Sequence, residues 1–200
     1  MKLYYNKRSP YARKAIITAY EKGIDHQLDL ILVDLANKSD DFLQANPIGL
    51  IPALITDNGE IYYSSQVICE YIDAVSGPAF LYPEDRSAGL RQRNLIALAD
   101  GLTDMVVKYM LEGFRPAELQ SEAMKSKHLV GVDRTITEIA KRLPEFDMDC
   151  TPAAIALGTA LGYLEFRFPQ HTWKAQYSAL AAWYDPFLQR PSMQKTIPVS

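Results

Sequence analysis

A serine followed by a proline, Ser9-Pro10, lies between a short β-like run and a helix-like run near the start of the chain. Serine is a favoured helix N-cap, and proline suits the first helical position, where its missing N–H would have had no partner. The unpaired N–H groups and the positive end of the helix dipole favour an anion at this place. The hydroxyl of Ser9 is therefore a candidate for holding a thiolate, although a plain helix cap is the commoner use of this pair.

The composition argues against several classes of function. The chain has 200 residues, a formal net charge of −3 and no basic run of five or more residues, which argues against binding to nucleic acid or to an anionic membrane. Charged residues interrupt the apolar stretches well before twenty residues, so no membrane span is predicted. The first residues lack the apolar core of a signal peptide, and we expect a cytoplasmic protein.

Residue types that bind metals are scattered along the chain. Cys69 and Cys150 lie far apart in apolar, helix-like contexts, which predicts buried free thiols in a reducing compartment. The three histidines, His26, His128 and His171, show no metal-ligand spacing with cysteines or acidic residues. We therefore expect neither a metal nor a cofactor.

The first 76 residues alternate between β-like and α-like patterns. The patterns predict strands over residues 2–5, 28–33, 51–56 and 61–63, and helices over residues 9–22, 39–45 and 64–77. Asn58-Gly59 predicts a hairpin between the last two strands. The continuous apolar run at residues 28–33 predicts an interior strand.

The rest of the chain shows only helical periodicity. It predicts helices over about 87–113, 119–142, 152–166 and 174–189. Two prolines, Pro78 and Pro83, mark a connector before the first of these helices. We therefore predict an α/β domain over residues 1–76, a linker over 77–86 and an all-α domain over 87–200.

The predicted topology brings three motifs to one edge of the sheet. A strand–helix–strand unit has parallel strands with a right-handed crossover. If the third strand runs antiparallel to the first, Ser9, the Ile51-Pro52 step and Ser64-Ser65 meet at this edge, with two helix N-termini pointing to it. The backbone before the third strand would then offer a template for a small, extended, anionic peptide.

Three segments in this order resemble the glutathione S-transferases: Ser9-Pro10-Tyr11, residues 46–54 (NPIGLIPAL) and residues 65–72 (SQVICEYI). Residues 151–157 (TPAAIAL) resemble the start of the central helix in the second domain of that family, and residues 98–116 resemble a bacterial subgroup. The resemblance spans roughly residues 1–190. It implies a thioredoxin-like N-terminal domain, an all-α C-terminal domain and a homodimer.

The resemblance also implies roles for individual residues. In serine-type members of the family, the hydroxyl that matches Ser9 donates a hydrogen bond to the sulfur of glutathione, which is the co-substrate. Ile51 would bind glutathione through its backbone, and Ser64 and Ser65 would lie at its γ-glutamyl end. Asp100 could reach the ammonium group of glutathione, and this contact could cross the dimer interface. Tyr5 is the alternative activating hydroxyl, but it ranks below Ser9 because it lies inside the first strand.

A small electrophile would bind, according to the resemblance, in a cleft between the two domains. The candidates for the cleft wall are Tyr11, Met105, Tyr109 and Arg115, although packing in the core is the commoner role for aromatic residues and Met on helices. Arg13 and Lys14 are predicted to form an exposed helix face. Nothing in the sequence specifies the size or polarity of the electrophile.

Three positions depart from the family pattern. Leu50 stands where relatives commonly carry Lys or Gln, which contacts a carboxylate of glutathione. Ser64 stands where an acidic residue usually holds the γ-glutamyl ammonium, and a neutral hydroxyl is a weaker partner for a cation. Ala154 replaces the acid of a helix capping box, while Thr151 can still cap. The first two departures bear on glutathione affinity, and the third bears on stability.

Three functions fit these observations. The leading hypothesis is an enzyme that conjugates glutathione to a small electrophile. Glutathione-dependent reductase or peroxidase chemistry is the second, although relatives that use their own thiol generally carry cysteine where this chain has Ser9. The third is a non-enzymatic interaction protein with the same fold, because a fold alone does not determine function.

Overall fold

The strand-like segments near the start of the chain pair into one mixed sheet. The computed structural model describes residues 1–77, 81–146 and 149–199. Within these residues the sheet has four strands in the order β2-β1-β3-β4. The strands are Lys2–Tyr5 (β1), Asp29–Leu32 (β2), Ala53–Ile55 (β3) and Ile61–Tyr63 (β4). β1 runs parallel to β2 and antiparallel to β3, and β3 and β4 form the predicted hairpin around Gly59, whose φ is +86°.

The prediction that residues 28–33 form an interior strand is wrong. β2 is an edge strand, and its side chains at Leu30 and Leu32 are exposed. Its partner is β1, and no other strand of the described residues pairs with its outer side. A short apolar run has the same pattern at the edge and in the interior of a sheet, so only the long-range pairing decides its place.

This part of the chain has three helices, Pro10–Glu21 (α1), Asp40–Ala45 (α2) and Ser65–Val75 (α3). α1 and α3 pack against each other and form a core with the sheet. Leu3 and Leu54 from the sheet meet Ala15, Ile68 and Ile72 from the helices in one buried cluster. Ile68 and Ile72 are four residues apart on α3, which is the spacing of one helix face.

The described residues after α3 form further helices and the irregular segments that join them. The helices are Arg86–Gly113 (α4), Glu122–Lys141 (α5), Pro152–Arg167 (α6), Trp173–Gln176 (α7), Ser178–Leu188 (α8) and Pro191–Lys195 (α9). α6 is buried over most of its length between its neighbours, and the Thr151 hydroxyl caps it by accepting the Ala154 N–H at 3.2 Å. None of the helices in the described ranges is long and apolar enough to cross a membrane. The predicted fold class, an α/β thioredoxin-like domain followed by an all-α domain, is confirmed.

The chain divides into two compact units. The first unit is Met1–Glu84 together with residues from Pro191 onward, and the second unit is Asp85–Arg190. The predicted boundaries 1–76, 77–86 and 87–200 stay predictions; residues 78–80 of the predicted linker, and residues 147, 148 and 200 of the predicted second domain, lie outside the described residues. The short helix α9 was not predicted.

Residues 191–199, called here the C-terminal segment, are tied to α1 by a buried arginine. Arg13 donates from Nη2 to the Met193 carbonyl at 3.0 Å and from Nε to Thr196 Oγ1 at 3.2 Å. The prediction that Arg13 and Lys14 are exposed is wrong, because both are buried. For Arg13 the cause is this distant segment of the chain, which covers it.

A buried carboxylate fixes the start of the connection after α3. Asp73 forms an ion pair with Lys22 at 2.8 Å and accepts the N–H groups of Leu81 and Tyr82 at 2.7 and 3.0 Å. Both charged side chains of the ion pair are buried. Removing one charge of a buried, hydrogen-bonded pair is far more destabilising than removing a surface charge.

We therefore expect Asp73→Asn to lower the free energy of unfolding by about 3–5 kcal/mol. The substitution keeps the size of the side chain but removes the charge beside Lys22. Urea denaturation followed by circular dichroism measures the change. Asp29→Asn, at an exposed position on β2, is the matched control and should change stability by less than about 0.5 kcal/mol. Equal effects of the two substitutions would contradict the structural role of Asp73.

Candidate functional site

The strand register brings the ends of three strands to one edge of the sheet. Tyr4, near the end of β1, pairs with Ala53 at the start of β3, and Ala53 pairs with Tyr63 at the end of β4. Ser9 follows β1 by four residues, Pro52 directly precedes β3, and Ser64 directly follows β4. The three motifs singled out in the sequence therefore emerge from the same edge, within the first unit.

Ser9 is the N-cap of α1, and the residue is only 9% exposed. Its Oγ accepts the N–H of Ala12 at 3.2 Å, and its own N–H donates to the Asn6 carbonyl at 2.9 Å. The capping bond uses a lone pair of the hydroxyl oxygen and leaves the hydroxyl proton to donate. Capping and donation to an anion are therefore compatible at this residue.

A cis peptide bond joins Ile51 to Pro52, directly before β3. Asn46 holds the segment before this bond: its side-chain N–H donates to the Leu50 carbonyl, and its Oδ1 accepts the Ile48 N–H at 3.1 Å. Asn46 is buried, and sequence reasoning did not list it as a functional residue. Its only sequence signal was its place in the motif of residues 46–54.

Ser64 and Ser65 lie at the junction of β4 and α3. Ser64 is exposed and has a φ of +67°, a value that is uncommon for residues other than glycine, and its side chain makes no capping hydrogen bond. Ser65 is the first residue of α3 and is buried. The Ser65 hydroxyl therefore lies at the N-terminus of an 11-residue helix, where the helix dipole favours negative charge.

The candidates on α4 have contacts inside the second unit. A Cβ atom added at Gly131 would lie 3.0 Å from the Met105 sulfur, so Met105 packs closely against α5. The Tyr109 ring contacts Phe168 edge-on, with 4.7 Å between ring centroids. Asp100 is half-buried. The roles of Asp100, Met105 and Tyr109 in ligand binding stay predictions.

Arg115 is exposed just after the end of α4 and forms an ion pair with Glu112 at 3.1 Å. The Ser121 N–H also donates to Glu112, and this hydrogen bond, together with Arg115, lowers the pKa of the Glu112 carboxyl. Tyr11 is half-buried on α1. The predicted places of Arg115 and Tyr11 in a cleft wall likewise stay predictions.

A cavity of about 270 Å³ opens beside Ser9 inside the first unit. Its walls come from the end of β1, one side of α1, β2 and the C-terminal segment, and Tyr5 and Arg13 line it together with Ser9. Sequence reasoning missed Arg13 at this site. No local signal could have found it, because the C-terminal segment that buries Arg13 is 180 residues away in the chain.

The described residues of the first unit offer no metal site and no accessible thiol. Among them, no three residues of the types His, Cys, Asp and Glu form a group that could hold a metal ion. Cys69 is buried in the core, where the Thr18 hydroxyl lies 3.3 Å from its sulfur. Cys150 is half-buried in the second unit.

Comparison with known families identifies both parts of the chain. Residues 8–75 match the model of the glutathione S-transferase N-terminal domain. Residues 117–185 match the model of the C-terminal domain of the same family.

Full-length relatives show the same similarity. The Escherichia coli protein described as the uncharacterized GST-like protein YibF is 31% identical, with 99% of this chain and 98% of that protein covered. A glutathione S-transferase structure from Methylobacillus flagellatus with glutathione bound has 40% identity, 99% coverage of both chains and a TM-score of 0.92. A glutathione transferase family member from Pseudomonas fluorescens has 35–36% identity and at least 99% coverage of both chains. Its structures contain glutathione (TM-score 0.93) and S-(propanoic acid)-glutathione (TM-score 0.88).

The contacts of Asn46 predict that its amide keeps the segment before Pro52 in one conformation. Asn46→Asp removes the donor to the Leu50 carbonyl and leaves that carbonyl facing a carboxylate. We expect a loss of about 1–3 kcal/mol of stability and faster hydrogen–deuterium exchange at the Ile48 and Gly49 amides. Asn58→Asp is the matched control, because the Asn58 Oδ1 acts as an acceptor for the Thr56 hydroxyl and a carboxylate keeps that role. Unchanged exchange in Asn46→Asp would contradict this assignment.

Proposed function

The chain belongs to the glutathione S-transferase family, and we propose that it is a glutathione transferase that conjugates glutathione to a small electrophile. The observation that carries the proposal is the Ser9 hydroxyl, which caps α1 while its proton remains able to donate. In this proposal the Ser9 hydroxyl donates to the sulfur of bound glutathione and holds it as the thiolate. The enzyme then needs no nucleophile of its own.

The rate advantage comes from the fraction of thiol that is ionised. A thiol with a pKa of about 8.5 is only about 3% thiolate at pH 7, whereas a pKa of about 6.5 makes about three quarters of it thiolate. A hydrogen bond to the charged form lowers the pKa, and each unit of lowering corresponds to about 1.4 kcal/mol of preferential stabilisation. The N-terminus of α1 adds a dipole of the same favourable sign.

The edge of the sheet supplies the rest of the proposed glutathione site. The backbone of Ile51, held in place through Asn46, would pair with the extended peptide. Ser65, at the N-terminus of α3, would contact the γ-glutamyl carboxylate, with Ser64 beside it. The glutathione bound by the Methylobacillus and Pseudomonas relatives supports this ligand. We further propose, from the family alone, a cytoplasmic homodimer.

Two observations favour conjugation over thiol-exchange chemistry. The S-(propanoic acid)-glutathione bound by the Pseudomonas relative is a thioether, the class of product that a thiolate forms with a carbon electrophile. The chain also has serine at position 9, and its Cys69 is buried in the core. A mixed disulfide formed by glutathione at position 9 or with Cys69 is therefore disfavoured.

We expect Ser9→Ala to lower kcat/KM for conjugation of glutathione to 1-chloro-2,4-dinitrobenzene by about 100-fold, because it removes the hydrogen bond to the thiolate. Ser9→Thr keeps the hydroxyl and should retain most of the activity. Initial rates at fixed pH, corrected for the uncatalysed reaction, measure the effect.

A matched control separates the loss of a helix cap from the loss of the Ser9 hydroxyl at the site. Ser39 caps α2 by accepting the Phe42 N–H at 3.3 Å, so Ser39→Ala removes a comparable cap away from Ser9. It should leave kcat/KM within about twofold of the unmodified protein. If the unmodified protein binds glutathione, but Ser9→Ala conjugates glutathione as fast as the unmodified protein does, the proposed role of Ser9 is wrong. If millimolar glutathione does not bind, the non-enzymatic interaction protein becomes the better account.

Leu50 stands where relatives commonly carry a residue that contacts a glutathione carboxylate. The residue is 65% exposed, so a lysine fits there without displacing the core. Leu50→Lys should tighten glutathione binding by about two- to fivefold, because it adds a cation for a glutathione carboxylate at a solvent-exposed site. Titration calorimetry measures the Kd.

Ile48→Lys is the matched control, because Ile48 is 57% exposed in the same segment and gains the same charge. We expect it to change the Kd less than Leu50→Lys does. Equal tightening by both substitutions would mean that the added charge acts through the general field of the protein, and it would contradict a specific contact at position 50.

A further inference from the structure

The cavity beside Ser9 has a one-sided charge distribution. Its charged lining residues are Lys7, Arg13 and Lys195, and no aspartate or glutamate is found among the described residues that line it. Its apolar surface includes Ile16, and Tyr20 adds an aromatic ring. An apolar chamber with a few convergent polar groups is the usual form of a small-molecule site. The cations make an anionic ligand the complementary one.

The wall that carries Lys195 is held in place from α1. Arg13 lies one helical turn after Ser9 and donates to the Met193 carbonyl and to the Thr196 hydroxyl. The Ser192 hydroxyl also donates to the Glu21 carboxylate at the other end of α1. These bonds fix the C-terminal segment to the helix that Ser9 caps. The hydroxyl and the cationic wall therefore belong to one connected structure.

Lys7 and Lys195 are exposed at the cavity, whereas Arg13 is buried and hydrogen-bonded to the C-terminal segment. The role of Arg13 at the cavity is therefore to position that segment. The Lys195 ammonium lies 5.0 Å from the centre of the Tyr20 ring. An ammonium group on a flexible side chain can turn toward a carboxylate.

We propose that this cavity binds small molecules that carry a carboxylate, and that Lys7 and Lys195 are the residues that recognise it. The identification of this ligand as the electrophile rests on the proposed function. The reactive carbon of the electrophile would then face the thiolate at Ser9. With a benzylic bromide, the thiolate sulfur forms a bond to the carbon, and bromide leaves with the bonding electron pair. The thiol proton has been released to solvent before this step.

The charge of the substrate explains why cations are needed in the cavity. A thiolate and a carboxylate in one small cavity repel each other, and the repulsion is strongest where water is excluded. Lys7 and Lys195, with the charge of Arg13 behind them, offset this repulsion. A neutral electrophile gains nothing from the same cations, so the cavity selects by charge.

Binding without chemistry is the direct test. We would titrate the protein with 4-methylbenzoate and with 4-methylbenzamide, which have similar shapes and differ in charge, and measure each Kd by calorimetry at low salt. We expect the benzoate to bind at least fivefold more tightly, and we expect high salt to weaken this preference. Lys7→Gln and Lys195→Gln should each weaken benzoate binding about two- to fivefold, and the double variant should lose the preference.

Lys2→Gln is the matched control. Lys2 is exposed at the other end of β1 from Ser9, so the substitution removes the same charge away from the cavity. It should leave the preference for 4-methylbenzoate unchanged. Equal binding of the two compounds would overturn the inference, and so would an equal loss of preference in Lys2→Gln and Lys195→Gln.

A turnover experiment separates the inference from the proposed function. With glutathione, 4-(bromomethyl)benzoate should be conjugated with a higher kcat/KM than 4-(bromomethyl)benzamide, after correction for the uncatalysed rates, and the double lysine variant should lose the difference. Equal conjugation of both compounds would overturn the inference and leave the proposed function intact. If neither compound is conjugated but the benzoate is still bound selectively, the proposed function fails and the carboxylate site stands.

Discussion

The hydrogen bond from the Ala12 N–H to the Ser9 hydroxyl oxygen is the constraint on which the rest of the site depends. It begins α1 at a defined residue and holds the Ser9 side chain at the positive end of the helix dipole. It also occupies the oxygen as an acceptor, so the hydroxyl proton is available for an anionic partner. One hydrogen bond thereby links the stability of α1 to the proposed donation by the Ser9 hydroxyl.

The strand pairing determines which segments lie near the Ser9 hydroxyl. The pairing of Tyr4 with Ala53, and of Ala53 with Tyr63, sets three strand ends at one edge. The backbone before Pro52, held through Asn46, and the N-terminus of α3 then lie at the edge where α1 begins. On α1 itself, Arg13 connects the C-terminal segment to the site. The proposed glutathione site and the proposed electrophile site thus use different parts of one unit.

Local patterns predicted much of this arrangement. Ser9-Pro10 and Thr151-Pro152 indicated where α1 and α6 begin, and Asn58-Gly59 indicated the hairpin, because caps and turns depend on neighbouring residues. Features that depend on distant segments were missed. The edge position of β2 follows from strand pairing, and the burial of Arg13 follows from contact with residues 180 or more positions away. No local pattern of residues contains that information.

The most direct test of the central claim is the pKa of the glutathione thiol when it is bound to the protein. The ultraviolet absorbance of the thiolate, followed against pH at saturating glutathione, gives this value for the unmodified protein and for Ser9→Ala. The account predicts a bound-thiol pKa at least one unit below the value of about 8.5 for an unperturbed thiol, and a return toward that value in Ser9→Ala. The same pKa in both proteins, with glutathione bound to each, would contradict it.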